Sequence, residues 1–421
     1  VLFCLPFLGA SRLATWRRPR ALLAVHREAV VDALALFGLS LALRVVLVGA
    51  WPDVISGDEG LVGLVAAGML RNVGNMFSTA FAYSNLYHLA VAATVKVLGP
   101  TAAALRLVGA VASAAAVPVT YLAARELFGR RIGLAAGVLL VASHMHIHMS
   151  RTAHAHGVDA LLAAAVVLTL ARALGRRDVG WFALAGVALG AAQYAYGGAR
   201  ALDLVALLFV PALCLLDWAT FRRAVPGFAV ALGASVVTAA PMIVWAIRRP
   251  GDYLTRINQV GVFQTGQVAV RAEGDETVWH TMGDQLLHGL LTPIAYPVAS
   301  FYSARVPMLD LAWATLFVLG VALAIRRVRD WRYLLLVAAT LGILAILVFS
   351  AQVSASAYRV TGLLPVCAIL AALALFTLAE RGLAERLDAA QEGRDYVVVG
   401  RIASMPLAAE RGMLSVVIVE V

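Results

Sequence analysis

The sequence predicts an all-α integral membrane protein of about ten transmembrane helices, with further helices lying on the membrane surface in the first external loop. Three observations carry that prediction. The 421 residues are 62% hydrophobic and only 14% charged, with a mean hydropathy of +0.86, where soluble domains are about 45–50% apolar and about 25% charged. The apolar runs are about 20 residues long, enough to cross a hydrocarbon core as a helix, and they do not alternate with the period of two that a barrel strand needs. The arginines concentrate in short stretches between the runs, the pattern that orients a polytopic membrane protein.

Six arginine-rich stretches set the order: "SRLATWRRPR" (11–20), "RELFGRR" (125–131), "RALGRRD" (172–178), "FRR" (221–223), "RRVRDWR" (326–332) and "ERGLAER" (380–386). If all six face the cytoplasm, each interval holds an even number of crossings. Spans then fall at 29–50, 102–123, 132–149, 157–174, 180–195, 199–217, 226–247, 309–325, 333–350 and 359–379, with both termini inside. The stretch "SNLYHLAVAATVKVLG" (84–99) resembles a span, but counting it would reverse two arginine stretches. It is short and carries His88 and Lys96, so it reads as a helix on the outer surface, and "EGLVGLVAAGMLRNVG" (59–74) as a second. The chain divides into a cytoplasmic segment 1–28, a membrane domain 29–380 with external loops at about 51–101 and 249–307, and a cytoplasmic tail 381–421. That tail holds the strand-like "YVVVG" and "SVVIVEV" and has no assigned role. "IRRP" (247–250) puts two arginines on the outer side, against the rule.

The charge of +10 belongs to this topology signal, and nucleic acid is not an expected partner. Cys214 and Cys367 lie in apolar runs and Cys4 near the start, which excludes a disulfide framework or a zinc ribbon. Ionisable groups gather instead near the outer helix ends: Asp58, Glu59, Asp159, Arg151, Arg200 and Arg359. No acidic set lies at mid-helix, where an ion relay would need it, so a site at the outer membrane surface is favoured over a conduction path. In "WPDVISGDEG" (51–60), Asp58 and Glu59 follow an apolar run between Gly57 and Gly60. Partial desolvation there would raise a carboxyl's pKa and make it a better base. Asp58 also suits a helix N-cap before "EGLVGLVAAGML". Asp53 reads as a solvated loop acid.

The order of features resembles a known family. An apolar span is followed by an Asp-Glu pair in the first external loop and an aromatic-bearing helix ending "KVLGPTAAALRLVGA". Then come "YLAARELFGRRIGLAAGVLLVAS", "SRTAHAHGVDALL", "YAYGGARALDLV", "DYLTRINQVGVFQTG" and "YRVTGLLPVCAILAALAL". Over about 30–380 this resembles the C-type-fold glycosyltransferases of the protein O-mannosyltransferase and lipid A aminoarabinose transferase kind. The resemblance implies a cell-membrane enzyme that moves a sugar from a polyprenyl-phosphate donor to an acceptor hydroxyl, with inversion, on the extracytoplasmic face. The acceptor class, lipid, polysaccharide or protein, stays open. By the same resemblance Asp58 is the base, with Glu59 beside it and Asp159 a second acid. Inversion needs one base, and a phosphate leaves as a weakly basic anion, so positive charge is needed around it rather than a general acid. Arg151, Arg200, Arg359 and Lys96 are the candidates, with Arg71 in reserve. Tyr194 and Tyr196 of "QYAYGGAR" are candidate sugar or lipid contacts. Relatives often carry Pro-Pro at the start of the surface helix, where this chain has "YSNLYHL". No cofactor is required. His144 and His148, one helical turn apart in "SHMHIHMSRTAHAH", suit a divalent metal that would help neutralise the leaving phosphate. The alternative reading is a polytopic transporter or lipid flippase without glycosyl transfer, against which no repeated halves are visible.

Overall fold

The computed structural model describes residues 27–80, 83–266, 277–298, 306–350 and 354–391. Helix α1 (Arg27–Val45) leads into an irregular stretch and then α2 (Gly57–Arg71). A two-residue antiparallel ladder follows, β1 (Thr79–Ala80) against β2 (Tyr83–Ser84), with Thr79 opposite Ser84. It delivers the chain to α3 (Asn85–Leu98), started by Ser84, whose hydroxyl accepts from the Leu86 N–H. The two helices expected in the first external loop are therefore present. The bundle continues with α4 (Ala102–Phe128), α5 (Arg130–Ala142), α6 (His144–Ser150), α7 (His156–Arg176), α8 (Val179–Ala192), α9 (Gly197–Leu216) and α10 (Trp218–Arg248). Then come α11 (Pro250–Val260), α12 (Val278–Leu291), α13 (Leu311–Arg326), α14 (Trp331–Val348), a 3₁₀ turn (Ser354–Leu363) and α15 (Leu364–Gln391).

Ten spans are expected, and every expected segment is helical over most of its length. Among the described residues, however, only six helices are long and apolar enough to cross a membrane, or seven if the bent pair α5–α6 counts as one span. The shortfall has physical causes. Helix α1 carries Glu28, Asp32 and Arg44, while α8 and α13 have only 14 and 16 residues, short of the ~20 a bilayer core requires. The break in the bent pair is 58°. It falls at Ser143, whose hydroxyl accepts from the His146 N–H and so starts α6 afresh. The fully buried Arg44 of α1 is anchored at this break, donating to the Leu140 carbonyl at 3.2 Å and to His146 Nδ1 at 2.8 Å.

Small residues let the helices approach closely. A Cβ on Gly157 of α7 would meet Ser113 Oγ and lie 2.6 Å from the Gly109 carbonyl oxygen of α4, the close backbone contact that membrane helices use. The inward faces of α4, α7, α9 and α14 are buried. Large apolar side chains such as Leu215, Leu232 and Ile247 stand exposed on α9 and α10, as lipid-facing surfaces do. The chain divides into two units, residues 1–374 and 375–421. Of the second, only the continuation of α15 to Gln391 is described. The strand-like stretches of the tail, and residues 1–26 of the N-terminal segment, lie outside the described residues.

Candidate active site

The acids of the first loop separate at once. Ser56 caps α2 by accepting from the Glu59 N–H at 3.3 Å, and Glu59 returns the bond to the Ser56 N–H at 3.1 Å. Ser56, not Asp58, is the N-cap, and this reciprocal arrangement turns Glu59 inward and leaves Asp58 exposed. The desolvation expected for Asp58 therefore falls on its neighbour. Glu59 is 2% exposed and its carboxylate meets Arg106, itself 1% exposed, at 2.8 and 3.3 Å. The same guanidinium donates to the carbonyls of Val48, Pro52 and Val54, and Glu59 also accepts from the Ala153 N–H at 2.9 Å. Burial pulls the Glu59 carboxyl upward, but the hydrogen bonds from Arg106, Ala153 and Ser56 together outweigh it and hold the carboxyl below its ordinary value. One buried ion pair thus gathers the loop that presents Asp58.

Asp58 faces a polar cavity of about 620 Å3. Its far walls come from the end of α10 (Trp245, Arg249), from α11 (Asp252, Arg256, Gln259) and from Tyr196 and Tyr358. A second, more apolar groove of about 330 Å3 shares Thr79, Tyr196, Asp252 and Arg256 with it and adds Arg200, Arg359, Leu204, Val260 and Phe349. Three guanidinium groups therefore line one apolar groove. Arg256 hydrogen-bonds the Tyr196 side chain. Arg200 lies over the Tyr253 ring at 4.8 Å. Arg359, 4% exposed, donates to Ser350 Oγ. Among the described residues, the Nε atoms of Arg200 and Arg359 are buried without a partner, which leaves donors for an anion.

Beneath the cavity lies a buried aromatic and acidic cluster. His156 packs against Tyr196 at 4.9 Å, Tyr358 at 5.3 Å and His154 at 5.5 Å between ring centroids, and its Nδ1 is 3.8 Å from the Asp159 carboxylate. Burial holds the His154 imidazole below its ordinary value, against the pull of Glu59 and Asp58. Asp159 is 1% exposed and lines neither cavity. A Cβ on Gly198 would lie 3.0 Å from its Oδ2 and would meet the Arg359 carbonyl, so Asp159 sits under the turn that carries the groove.

The other expected residues are scattered. Arg151 donates to the carbonyls of Leu43 at 2.9 Å and Trp51 at 3.2 Å, clamping the start of the first loop. Lys96 is exposed near the end of α3 and lines neither space. The Tyr194 hydroxyl donates to the Thr238 carbonyl at 2.9 Å and its ring packs on Phe77. Among the described residues no group of three or more His, Cys, Asp or Glu side chains converges as a metal site, so His144 and His148 find no third ligand there. Sequence reasoning missed Arg106 and Arg256. Arg106 had a signal, a lone charge inside the apolar run "TAAALRLVGA". Arg256 lay one turn after Asp252 in a helix opened by Pro250.

A family model described as dolichyl-phosphate-mannose-protein mannosyltransferase matches residues 85–245, from α3 into α10. No curated protein matches the chain by sequence. Among solved structures, the chain superposes on ArnT from Cupriavidus metallidurans bound to undecaprenyl phosphate, with a TM-score of 0.57 and 18% identity over 87% of this chain and 63% of that one. It also superposes on the archaeal oligosaccharyltransferase AglB from Archaeoglobus fulgidus, in complex with an inhibitory peptide and a dolichol-phosphate. There the TM-score is 0.51 and the identity 16%, over 88% of this chain and 52% of that one. The chain thus shares the membrane fold of these proteins and spans less than two thirds of their length.

Proposed function

We propose that the chain is a membrane glycosyltransferase that moves a sugar from a polyprenyl-phosphate donor to an acceptor hydroxyl, with inversion at the anomeric carbon. The observation that carries the proposal is the continuity of two spaces: a polar cavity bearing Asp58 merges with an apolar groove lined by Arg200, Arg256 and Arg359. A lipid phosphate needs both halves of the groove, apolar walls for the prenyl chain and cations for the phosphate. The match to a mannosyltransferase family model, and the fold shared with proteins solved with undecaprenyl phosphate and dolichol-phosphate, support the same reading.

In the proposed step, the sugar sits in the polar cavity with its C1–O–P linkage at the junction. The acceptor hydroxyl enters from the Asp58 side and gives its proton to that carboxylate as its oxygen bonds to C1. The C1–O bond to phosphate breaks on the opposite face, and the polyprenyl phosphate anion leaves into the field of the arginines. Trp245 offers an aromatic wall and Gln259 and Thr255 hydrogen bonds for sugar hydroxyls. Glu59 and Arg106 position the loop; Asp159 acts beneath the groove rather than on substrate. The donor set around His144 and His148 does not converge, and no step is routed through a metal. With the arginine-rich stretches cytoplasmic, the cavity opens on the extracytoplasmic side. The acceptor is a lipid, polysaccharide or protein hydroxyl.

The test supplies purified full-length chain with polyprenyl-phosphate sugars and a panel of acceptors, and measures released polyprenyl phosphate and the new glycosidic bond. Asp58→Asn should lower transfer by about 10²–10⁴-fold with donor retention unchanged. Full transfer by the folded variant removes Asp58 as base. Donor crossing liposome membranes without a new bond would establish the transporter reading instead.

A further inference from the structure

A third cavity, of about 750 Å3, plays no part in the proposed transfer. It lies at the opposite ends of the helices that build the candidate active site. Helix α7 begins beneath the groove with Asp159 and ends at this cavity with Leu174. Helix α10 begins here with Thr220 and Arg223 and ends at the polar cavity with Trp245. Helix α14 begins here with Trp331 and leads to Ser350 of the groove. The 21 residues of α7 separate the two regions by about 30 Å at 1.5 Å per residue, the thickness of a hydrocarbon core.

The charges in this cavity are unevenly satisfied. All three of its acids have partners within the protein. Glu126 accepts from Arg176 at 2.7 Å and from Arg172 at 3.3 Å. Asp330 accepts from Arg332 at 2.6 Å. Asp217 caps α10 by accepting from the Thr220 N–H at 3.1 Å. Arg177 and Arg223 line the same cavity, are exposed, and have neither a hydrogen bond from their side chains nor an ion pair among the described residues. Arg177 holds its place at φ 52°, a left-handed conformation that glycine or asparagine adopts more readily. Beside Thr220 and Arg332, the remaining wall is apolar, including Leu174, Phe182, Pro226 and Trp331. Val179 and Trp218 are exposed beside it, at 43% and 58%, at the helix ends where interfacial aromatics contact lipid.

We propose that this cavity is a binding site for an anionic phospholipid of the leaflet on the arginine-rich side. Arg177 and Arg223 hold the phosphate between the α7–α8 and α9–α10 turns, and the acyl chains leave along Val179 and Trp218. Charge complementarity selects an anion, because Glu126 and Asp330 are paired with arginines and Asp217 is held as a helix cap, which leaves two cations against one uncompensated carboxylate. The apolar walls and the position at the helix ends select a lipid over a soluble phosphate.

Native mass spectrometry of the purified full chain tests the site, with phosphatidylglycerol or phosphatidylcholine titrated into the micelle and sn-glycerol 3-phosphate as soluble competitor. One phosphatidylglycerol should stay bound under activation that strips phosphatidylcholine. The R177Q/R223Q variant should lose that retention by about tenfold or more, while R177K/R223K keeps most of it. Arg222→Gln, an exposed arginine outside the cavity lining, should change nothing, and melting of each variant reports its fold. Equal retention by folded R177Q/R223Q and the parent, or an equal loss in Arg222→Gln, overturns the site. Displacement by glycerol phosphate overturns the lipid and leaves a soluble-anion site. Retention of polyprenyl phosphate in the same spectra reads the other site separately.

Discussion

Arg106 donates to three backbone carbonyls and to both oxygens of Glu59 while 1% exposed. A buried pair of this kind is costly to halve, because the survivor keeps its charge with nothing to meet it. Arg106→Met should therefore destabilise the protein by about 3–5 kcal/mol, measured as a melting shift, and should abolish transfer by releasing the loop that carries Asp58. Arg106→Met with Glu59→Leu should recover much of the stability and none of the activity, which separates the pair's structural role from the site's chemistry. The pH dependence has a definite sign. The folded Glu59 carboxyl lies below its ordinary value, so its contribution is complete above an unfolded pKa of about 4.3 and is lost as pH falls through the lower folded value. Between pH 5 and pH 3 the parent should lose more melting temperature than Glu59→Gln, and an equal loss would show that other carboxylates carry the effect. Asp58, one residue away and exposed, should be replaceable without change in melting.

At the scale of elements, the turn from α8 into α9 decides where the groove's cations stand. Gly198 lies where a Cβ would meet the Arg359 carbonyl, and Arg359 belongs to the 3₁₀ turn packed on it. Gly198→Ala should push that turn outward and raise KM for the donor several-fold with a smaller effect on kcat, read from initial rates against donor concentration. Most elements were legible in advance. The surface helices expected at 59–74 and 84–99 stand at Gly57–Arg71 and Asn85–Leu98, and the span expected at 157–174 stands at His156–Arg176. Apolar runs bounded by glycine or arginine fix a helix locally. Helix α11, however, carries Arg256 into both spaces from a stretch that reads only as polar loop. Its apolar residues Tyr253, Leu254, Ile257 and Val260 recur at helical spacing, a signal passed over because the surrounding stretch is the most polar in the sequence.

For the molecule as a whole, binding of a lipid phosphate to the folded state should stabilise it by mass action. At a ligand concentration about a hundred times Kd the gain is about 2.7 kcal/mol. Polyprenyl phosphate should raise the melting temperature of the parent accordingly and give a much smaller shift for R200Q/R359Q, whose guanidinium groups both line the groove. A shift of the same size in that variant would move the phosphate elsewhere. Composition, arginine placement and motif order were sufficient for a helical membrane protein, because hydrophobic length and charge asymmetry act locally along the chain. Which acid faced the cavity was a different matter. Asp58 and Glu59 are neighbours of equal chemistry, and only the capping box at Ser56 and the distant Arg106 turn one inward and leave the other facing the cavity. Likewise Arg151, Arg200, Arg359 and Lys96 are four equivalent cations by sequence. The packing of α9, α11 and the 3₁₀ turn brings Arg200 and Arg359 together with Arg256 and leaves the others behind, because convergence depends on contacts between residues far apart in the chain.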